Sequence, residues 1–388
     1  MKDPGNKLDA GRLVESRQRI PIKRRLAYIA IIYLAFLLIL LAVEAGTRLT
    51  MTHVSSLDLF VVTPQQKAQV ADAKQSTIFE GDPLLLWRLK PNLDQVVWDF
   101  TVVSTNSAHL RSVDPVQSLK PKQPGAIRIV CLGDSVTFGY RVPAVWPDKP
   151  TEYDREWLPY PMLLEKHLRT ANPGRNIEVI TMAVPGYTSH QGLAWLRHEI
   201  DRLQPDLLTV SFGWNDVSFS DAPDREAINT DWRSVGVRWL IDNSQAFAHA
   251  ARWLRSKQPG ATAIRTPVAR VSEPEYLKNF QEFIRLAQAK GAAVIILAAP
   301  YRDRITNPPE AALMMRYRAS LRSLAQQNRI TFLELLELTE AAYPSNEGWF
   351  GELIHPNHMG HRLIASELLK LLAANQVLHD VRIPALTP

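Results

Sequence analysis

The chain is almost devoid of cysteine. Its single thiol, Cys131, lies within an apolar run and cannot form an internal disulfide, so folding outside the cytoplasm would not require oxidation. That setting suits a small core residue, not a nucleophile. Internal repeats and low-complexity tracts are also lacking, which excludes solenoid and fibrous architectures. Charge of one sign is scarce beyond the N-terminus. Residues 1–25 hold eight Lys or Arg (Lys2, Lys7, Arg12, Arg17, Arg19, Lys23, Arg24, Arg25) against Asp3, Asp9 and Glu15, and so carry most of the net charge of +6. The basic character therefore belongs to a tail, and the main domain shows no footprint for nucleic acid.

What the chain does have is a long apolar run. Leu26 to Val43, LAYIAIIYLAFLLILLAV, is eighteen residues without a charge, near the length that crosses a hydrocarbon core as a helix. Lys23, Arg24 and Arg25 precede it, and the positive-inside rule then places the N-terminus in the cytoplasm. A single-pass anchor in the inner (cytoplasmic) membrane follows, with everything after about residue 46 periplasmic. A cleaved signal peptide is the competing reading, since Val43-Glu44-Ala45 loosely resembles a cleavage site. The run is long for a signal, and Glu44 is an awkward neighbour, so the anchor is favoured.

With 388 residues, 46% of them hydrophobic, the rest of the chain can build a sizeable core. Residues 46–80 show little strand signal, with a short helix expected between Gln65 and Gln75. Residues 81–125 carry a β-rich stretch, Val96 to Val103, and a Pro/Lys/Gln linker from Pro115 to Pro124. From Ile127 strands and helices alternate. The expected strands are Ile127–Leu132, Ile177–Val184, Asp206–Phe212, Ala292–Ala299 and Ile330–Leu336. The expected helices are Pro161–Arg169, His190–Leu203 capped by Ser189, one from the capping box Ser272-Glu273-Pro274-Glu275 to about Lys290, Pro308–Asn328, and Asn357–Ala374. Five such strands predict a parallel sheet with helices on both faces. Residues 217–270 break the rhythm and read as an insertion over the carboxyl ends of the strands, carrying Trp232, Trp239 and Trp253.

Three loops leave the ends of the first three strands, and loops at one end of a parallel sheet converge. The first carries Ser135, a reachable hydroxyl among small neighbours and the proposed nucleophile. Asp134 reads as a structural hydrogen-bonding residue. The second loop carries Gly186 and the third Asn215. The backbone N–H groups of Ser135 and Gly186 and the Asn215 amide could stabilise a developing oxyanion. A base is offered by His355, with Glu352 three residues before it on the same side of a turn; Glu347 is the alternative acid. His355, His358 and His361 lack a further ligand for a metal, and the latter two fit the first turn of a helix capped by Asn357.

These residues resemble the SGNH/GDSL hydrolase family from about residue 80 to 375. The matching blocks are Gly133-Asp134-Ser135, Gly186, Gly213-Trp214-Asn215-Asp216, and Glu352 to His355, with glutamate where the family has aspartate. The resemblance implies an α/β fold, a three-layer α/β/α sandwich, and serine esterase or lipase-like acyl chemistry with no cofactor. The chain then divides into a basic tail (1–25), an anchor (26–43), a juxtamembrane segment with a small β extension (44–125), a hydrolase domain (126–376) with its insertion (about 217–270), and a C-terminal tail (377–388). The expected substrate is a small-molecule or glycan-linked acyl ester. Transfer of acyl groups to or from a cell-envelope polysaccharide, or a non-catalytic envelope-binding role, are the alternatives. Ten tryptophans could line a glycan cleft, although scattered Trp is more often core or interface. Arg270, Arg302 and Arg304 either meet an anionic substrate or lie on the solvated surface.

Overall fold

The computed structural model describes residues 21–60, 78–113, 119–145, 152–220, 222–257, 266–300, 309–335, 337 and 346–386. The expected helix between Gln65 and Gln75, most of the basic tail, Arg302, Arg304 and the Glu347 side chain lie outside this set. The chain divides into two compact units: the N-terminal segment through His53 with Ser244–Ala246, and Val54–Asn243 with Phe247–Pro388.

In the first unit the apolar run forms helix α1 (Ile22–Thr50), 29 residues long. At about 1.5 Å per residue it extends roughly 44 Å. Its most apolar 18-residue window has a mean hydropathy of 2.9 and no buried residue. It is long and apolar enough to cross a bilayer, a property that signal sequences share.

The second unit opens with a short helix, α2 (Ser56–Phe60), and two antiparallel hairpins. These pair β1 (Phe79–Asp82) with β2 (Leu86–Leu89), and β3 (Val96–Trp98) with β4 (Thr101–Val103). The Asp82 carboxylate accepts the Leu84 and Leu85 N–H groups at 2.8 and 2.7 Å, closing the first turn.

Beyond the hairpins the strands are β5 (Ile127–Gly133), β6 (Ile177–Ala183), β7 (Leu207–Ser211), β8 (Phe219–Ser220), β9 (Val268–Ala269), β10 (Ala293–Leu297) and β11 (Thr331–Leu333). The helices are α3 (Ser135–Phe138), α4 (Tyr160–Ala171), α5 (Ser189–Leu203), α6 (Trp214–Val217), α7 (Asp224–Ala227), α8 (Trp232–Asn243), α9 (Gln245–Ser256), α10 (Glu273–Gln288), α11 (Pro309–Gln327) and α12 (His358–Ala374).

Five strands form one parallel sheet, as expected, and their order is β11-β10-β7-β5-β6. Alternate residues of β5 feed opposite faces. Ile129 and Cys131 pack with Tyr160, Leu164 and Leu168 of α4 and Ile364 and Leu368 of α12. Val130 and Leu132 pack with Leu193 and Leu196 of α5, Phe280 and Phe283 of α10 and Leu321 of α11. The result is an α/β/α sandwich. Cys131 is a core residue, and burial pushes its thiol pKa up to about 12, which leaves it inert.

Several local expectations shift. Helix α5 starts one residue early, with Thr188 as its cap, and the Thr188 N–H donates to the Gln191 side chain at 3.3 Å. Ser272 precedes α10 but makes no side-chain cap bond, and Glu275 turns instead to Arg225 and His190. The last strand shortens to Thr331–Leu333.

Candidate active site

From β5 the chain crosses to β6 on one side and then to β7 on the other, so the sheet order reverses around β5. Crevices form at such reversals, outside the carboxyl ends of the strands. The loops after β5, β6 and β7 carry Ser135, Gly186 and Asn215.

The first loop is tight. A Cβ at Gly133 would meet the Thr137 side chain and lie 2.8 Å from the Ser211 carbonyl oxygen, so only glycine fits. Asp134 caps α3, its carboxylate accepting the Val136 N–H at 3.0 Å, and Ser135 becomes the first residue of that turn. Burial pushes the Asp134 pKa up to about 6. Its structural role agrees with the sequence reading.

His355 and Glu352 come from the segment just before α12. Asn357 caps that helix by accepting the Met359 and Gly360 N–H groups at 2.9 and 3.0 Å. His355 Nε2 lies 2.7 Å from Ser135 Oγ, while Nδ1 faces Glu352 Oε1 in a short contact. The hydrogen bond from His355 holds the Glu352 carboxyl below its ordinary pKa, against partial burial. The arrangement fixes one tautomer: Nδ1 carries the proton toward Glu352, and Nε2 is free to accept one from Ser135.

The oxyanion candidates share a cleft with Ser135. Gly186 has φ 84°, a left-handed conformation that glycine alone adopts without strain. The Asn215 amide donates to the Tyr187 carbonyl at 3.0 Å and reaches Asp134 Oδ2 at 3.4 Å. The second distance is long for a hydrogen bond.

Ser135, Gly186, Asn215 and His355 line a cleft of about 350 Å³ together with Phe79, Trp87, Trp98, Asp99, Tyr140, Pro185 and Ile354. The wall therefore comes from the N-terminal hairpins. The sequence reading placed the 217–270 insertion here, yet none of its described residues lines the cleft. Trp232, Trp239 and Trp253 instead point to solvent. The hairpins win because their aromatic residues pack directly on the main core and on the nucleophile loop: Trp98 meets Phe138 and Tyr140 edge-on at 6.4 and 5.8 Å.

Tyr140 was not foreseen. Its ring lies 4.5 Å from that of His355, and its hydroxyl donates to Asp99 in the β3–β4 turn. The only signal was its place just past the glycine of the nucleophile loop. Arg270 also departs from expectation. It does not lie on the solvated surface; it is buried, pairs with Asp224 through two bonds of 3.0 and 2.9 Å, and donates to the Gly186 carbonyl at 2.9 Å.

Among the described residues no group of three or more His, Cys, Asp or Glu is placed to hold a metal. The three C-terminal histidines diverge. His358 stacks on Trp157 at 3.9 Å, and buried His361 accepts the Tyr160 N–H at 3.2 Å.

The chain is similar to several solved structures and matches one family model. Among solved structures, an alpha/beta hydrolase from the metagenome of Lake Arreo, Spain, is 20% identical over 66% of this chain and 98% of its own, with a TM-score of 0.41. A lipase/acylhydrolase from Enterococcus faecalis is 17% identical over 66% and 98%, TM-score 0.41. An acetylxylan esterase from Geobacillus stearothermophilus is 16% identical over 67% and 99%, TM-score 0.40. No curated protein matches the chain. The model of the GDSL-like lipase/acylhydrolase family matches residues 131–363, more than half of the sequence, a span that contains Ser135, Gly186, Asn215, Glu352 and His355. The chain belongs to that family and is an ester-hydrolysing enzyme.

Proposed function

We propose that the protein is a membrane-anchored serine esterase that works outside the cytoplasm on small acyl esters. The observation that carries this reading is the continuous contact Ser135 Oγ–His355 Nε2 with Glu352 behind Nδ1, at the floor of a cleft. His355 Nε2 takes the Ser135 proton as Oγ attacks the ester carbonyl carbon. The carbonyl oxygen gains charge beside the Ser135 and Gly186 N–H groups and the Asn215 amide. His355 then returns the proton to the leaving alkoxide, and an acyl-Ser135 ester remains. Water, deprotonated by His355, attacks that ester and releases the acid. No step calls on a cofactor.

The cleft of about 350 Å³ suits a short acyl group, with Phe79 and Trp98 as an apolar wall. The uncharged length of α1 and the Lys23-Arg24-Arg25 flank support the anchor and its orientation. The test is turnover of p-nitrophenyl esters of increasing chain length by the full chain in detergent, beside Ser135→Ala. Wild type should favour the shortest esters, and Ser135→Ala should lose activity by at least about 10⁴-fold at an unchanged Tm. Equal turnover by the two proteins would remove Ser135 from the chemistry.

A further inference from the structure

The insertion helices carry an apolar surface that the catalytic site does not use. On α8, Trp232 and Trp239 are two helical turns apart and share a face, 78% and 53% exposed. The buried face of the same helix is that of Arg238 and Ile241. On α9, Trp253 and Leu254 are 62% and 58% exposed, and Phe247 lies two turns before Leu254 on the same stripe, also exposed. Gln245 and Ala248 are what α9 buries. A surface helix of a soluble domain turns its large apolar residues inward. Here they face out on two consecutive helices.

Charge follows the same logic. Of the five Lys or Arg in residues 232–257, Arg238 is buried and Arg233, Arg252, Arg255 and Lys257 are exposed, against a single acid, Asp242. Asp242 is turned away from the outer face, where it accepts the Ser56 N–H and hydroxyl at 2.7 and 2.8 Å. Arg233 lies 5.3 Å from the Trp232 ring and Lys257 5.9 Å from the Trp253 ring. Tryptophan beside cations, with Leu and Phe, is the composition of a helix lying at the headgroup level of a bilayer. There the cation reaches the phosphates while the ring sits below.

Chain connectivity limits how far the residues packed on this surface can be from the end of α1. Val54 packs on Ile241 and Ala248. Three residues, Met51, Thr52 and His53, separate it from Thr50, the last of α1, a path of at most roughly 14 Å. We propose that α8 and α9 lie on the anionic lipid surface of the bilayer that α1 crosses, with Trp232, Trp239, Trp253 and Leu254 at the headgroup level. This rests on reading α1 as a retained span.

Cys131 is fully buried and the chain has no other thiol, so an introduced cysteine can be labelled selectively. Full-chain Trp239→Cys and Trp253→Cys, and Ser323→Cys on the exposed face of α11 as reference, would carry an NBD dye in vesicles of phosphatidylcholine and phosphatidylglycerol. Ester turnover equal to wild type certifies the fold of each. At 239 and 253 the emission should shift to the blue, be quenched by doxyl-labelled lipid and be shielded from aqueous iodide; at 323 iodide alone should quench. Vesicles are also washed in alkaline carbonate. If the chain stays with them while 239 and 253 remain open to iodide and blind to doxyl lipid, the anchor stands and the docked surface is overturned. Shielding from both quenchers would mean cover by a second copy of the chain, and overturns the proposal as well. Release by carbonate overturns the anchor and the proposal with it.

Discussion

Glu352 is where one residue departs from its family's pattern and the geometry absorbs the change. The longer arm brings a carboxylate oxygen to His355 Nδ1, and the bond from His355 keeps that carboxyl ionised below its ordinary range. In the proposed mechanism it holds one imidazole tautomer and stabilises the imidazolium as it forms. Glu352→Gln should therefore lower kcat by about two to four orders of magnitude with little change in KM. Glu352→Asp keeps the charge on a shorter arm and should recover part of the loss. Combining Ser135→Ala with Glu352→Gln should cost no more than Ser135→Ala alone, since the residues act as a unit. A Gln variant with wild-type kcat would hand the role to another acid. The three-residue spacing made Glu352 and His355 readable without coordinates. Tyr140 was not readable, because nothing local shows that its ring will face a histidine more than 200 residues later.

Among the elements, the buried strands were the most legible, since Ile, Val and Leu runs closed by Gly or Asp have few other uses. Their ends were less so. The insertion misled because a break in the strand–helix rhythm shows that a long connection exists but not where it packs, and cleft walls are decided by tertiary packing. Its contribution to the site is indirect. Arg270 at the end of the insertion holds Asp224 and the Gly186 carbonyl at once, and Asp224 in turn accepts from the Thr188 hydroxyl at 2.7 Å. The insertion thus braces the second loop from beneath. No sequence signal joins two residues 46 positions apart. Breaking a buried pair leaves an uncompensated charge, so Asp224→Asn or Arg270→Met should each cost about 3–5 kcal/mol. The double variant Asp224→Leu/Arg270→Met removes both charges and should regain much of the Tm. It should not regain kcat, because nothing then holds the Gly186 peptide. Tm and kcat recovering together in the double variant would reduce the pair to a purely structural role.

Over the whole molecule, the balance of buried titratable groups sets the response of stability to pH. His361 lies between α12 and α4, with Nδ1 accepting the Tyr160 N–H. Burial, with Arg111 nearby, pushes its pKa down to about 3. A free histidine titrates near 6.5. The folded state thus refuses a proton that the unfolded chain takes, so the stabilising share of His361 is complete above about pH 6.5 and is lost as pH falls toward 3. Asp134 and Asp216 act in the opposite sense. Burial raises them to about 6 and 8, so the folded state takes up their protons first and gains stability as pH falls from 8. The net curve mixes both, and a variant separates them. His361→Gln keeps an acceptor for Tyr160 but cannot titrate. Between pH 7 and pH 5 the wild type should lose about 2 kcal/mol that the variant does not, roughly 4–8 °C in Tm for a domain of this size. The carboxylates contribute equally to both proteins and cancel in the difference. Thermal unfolding of the two at pH 7 and pH 5 measures it, and parallel Tm shifts would show that His361 can bind a proton in place.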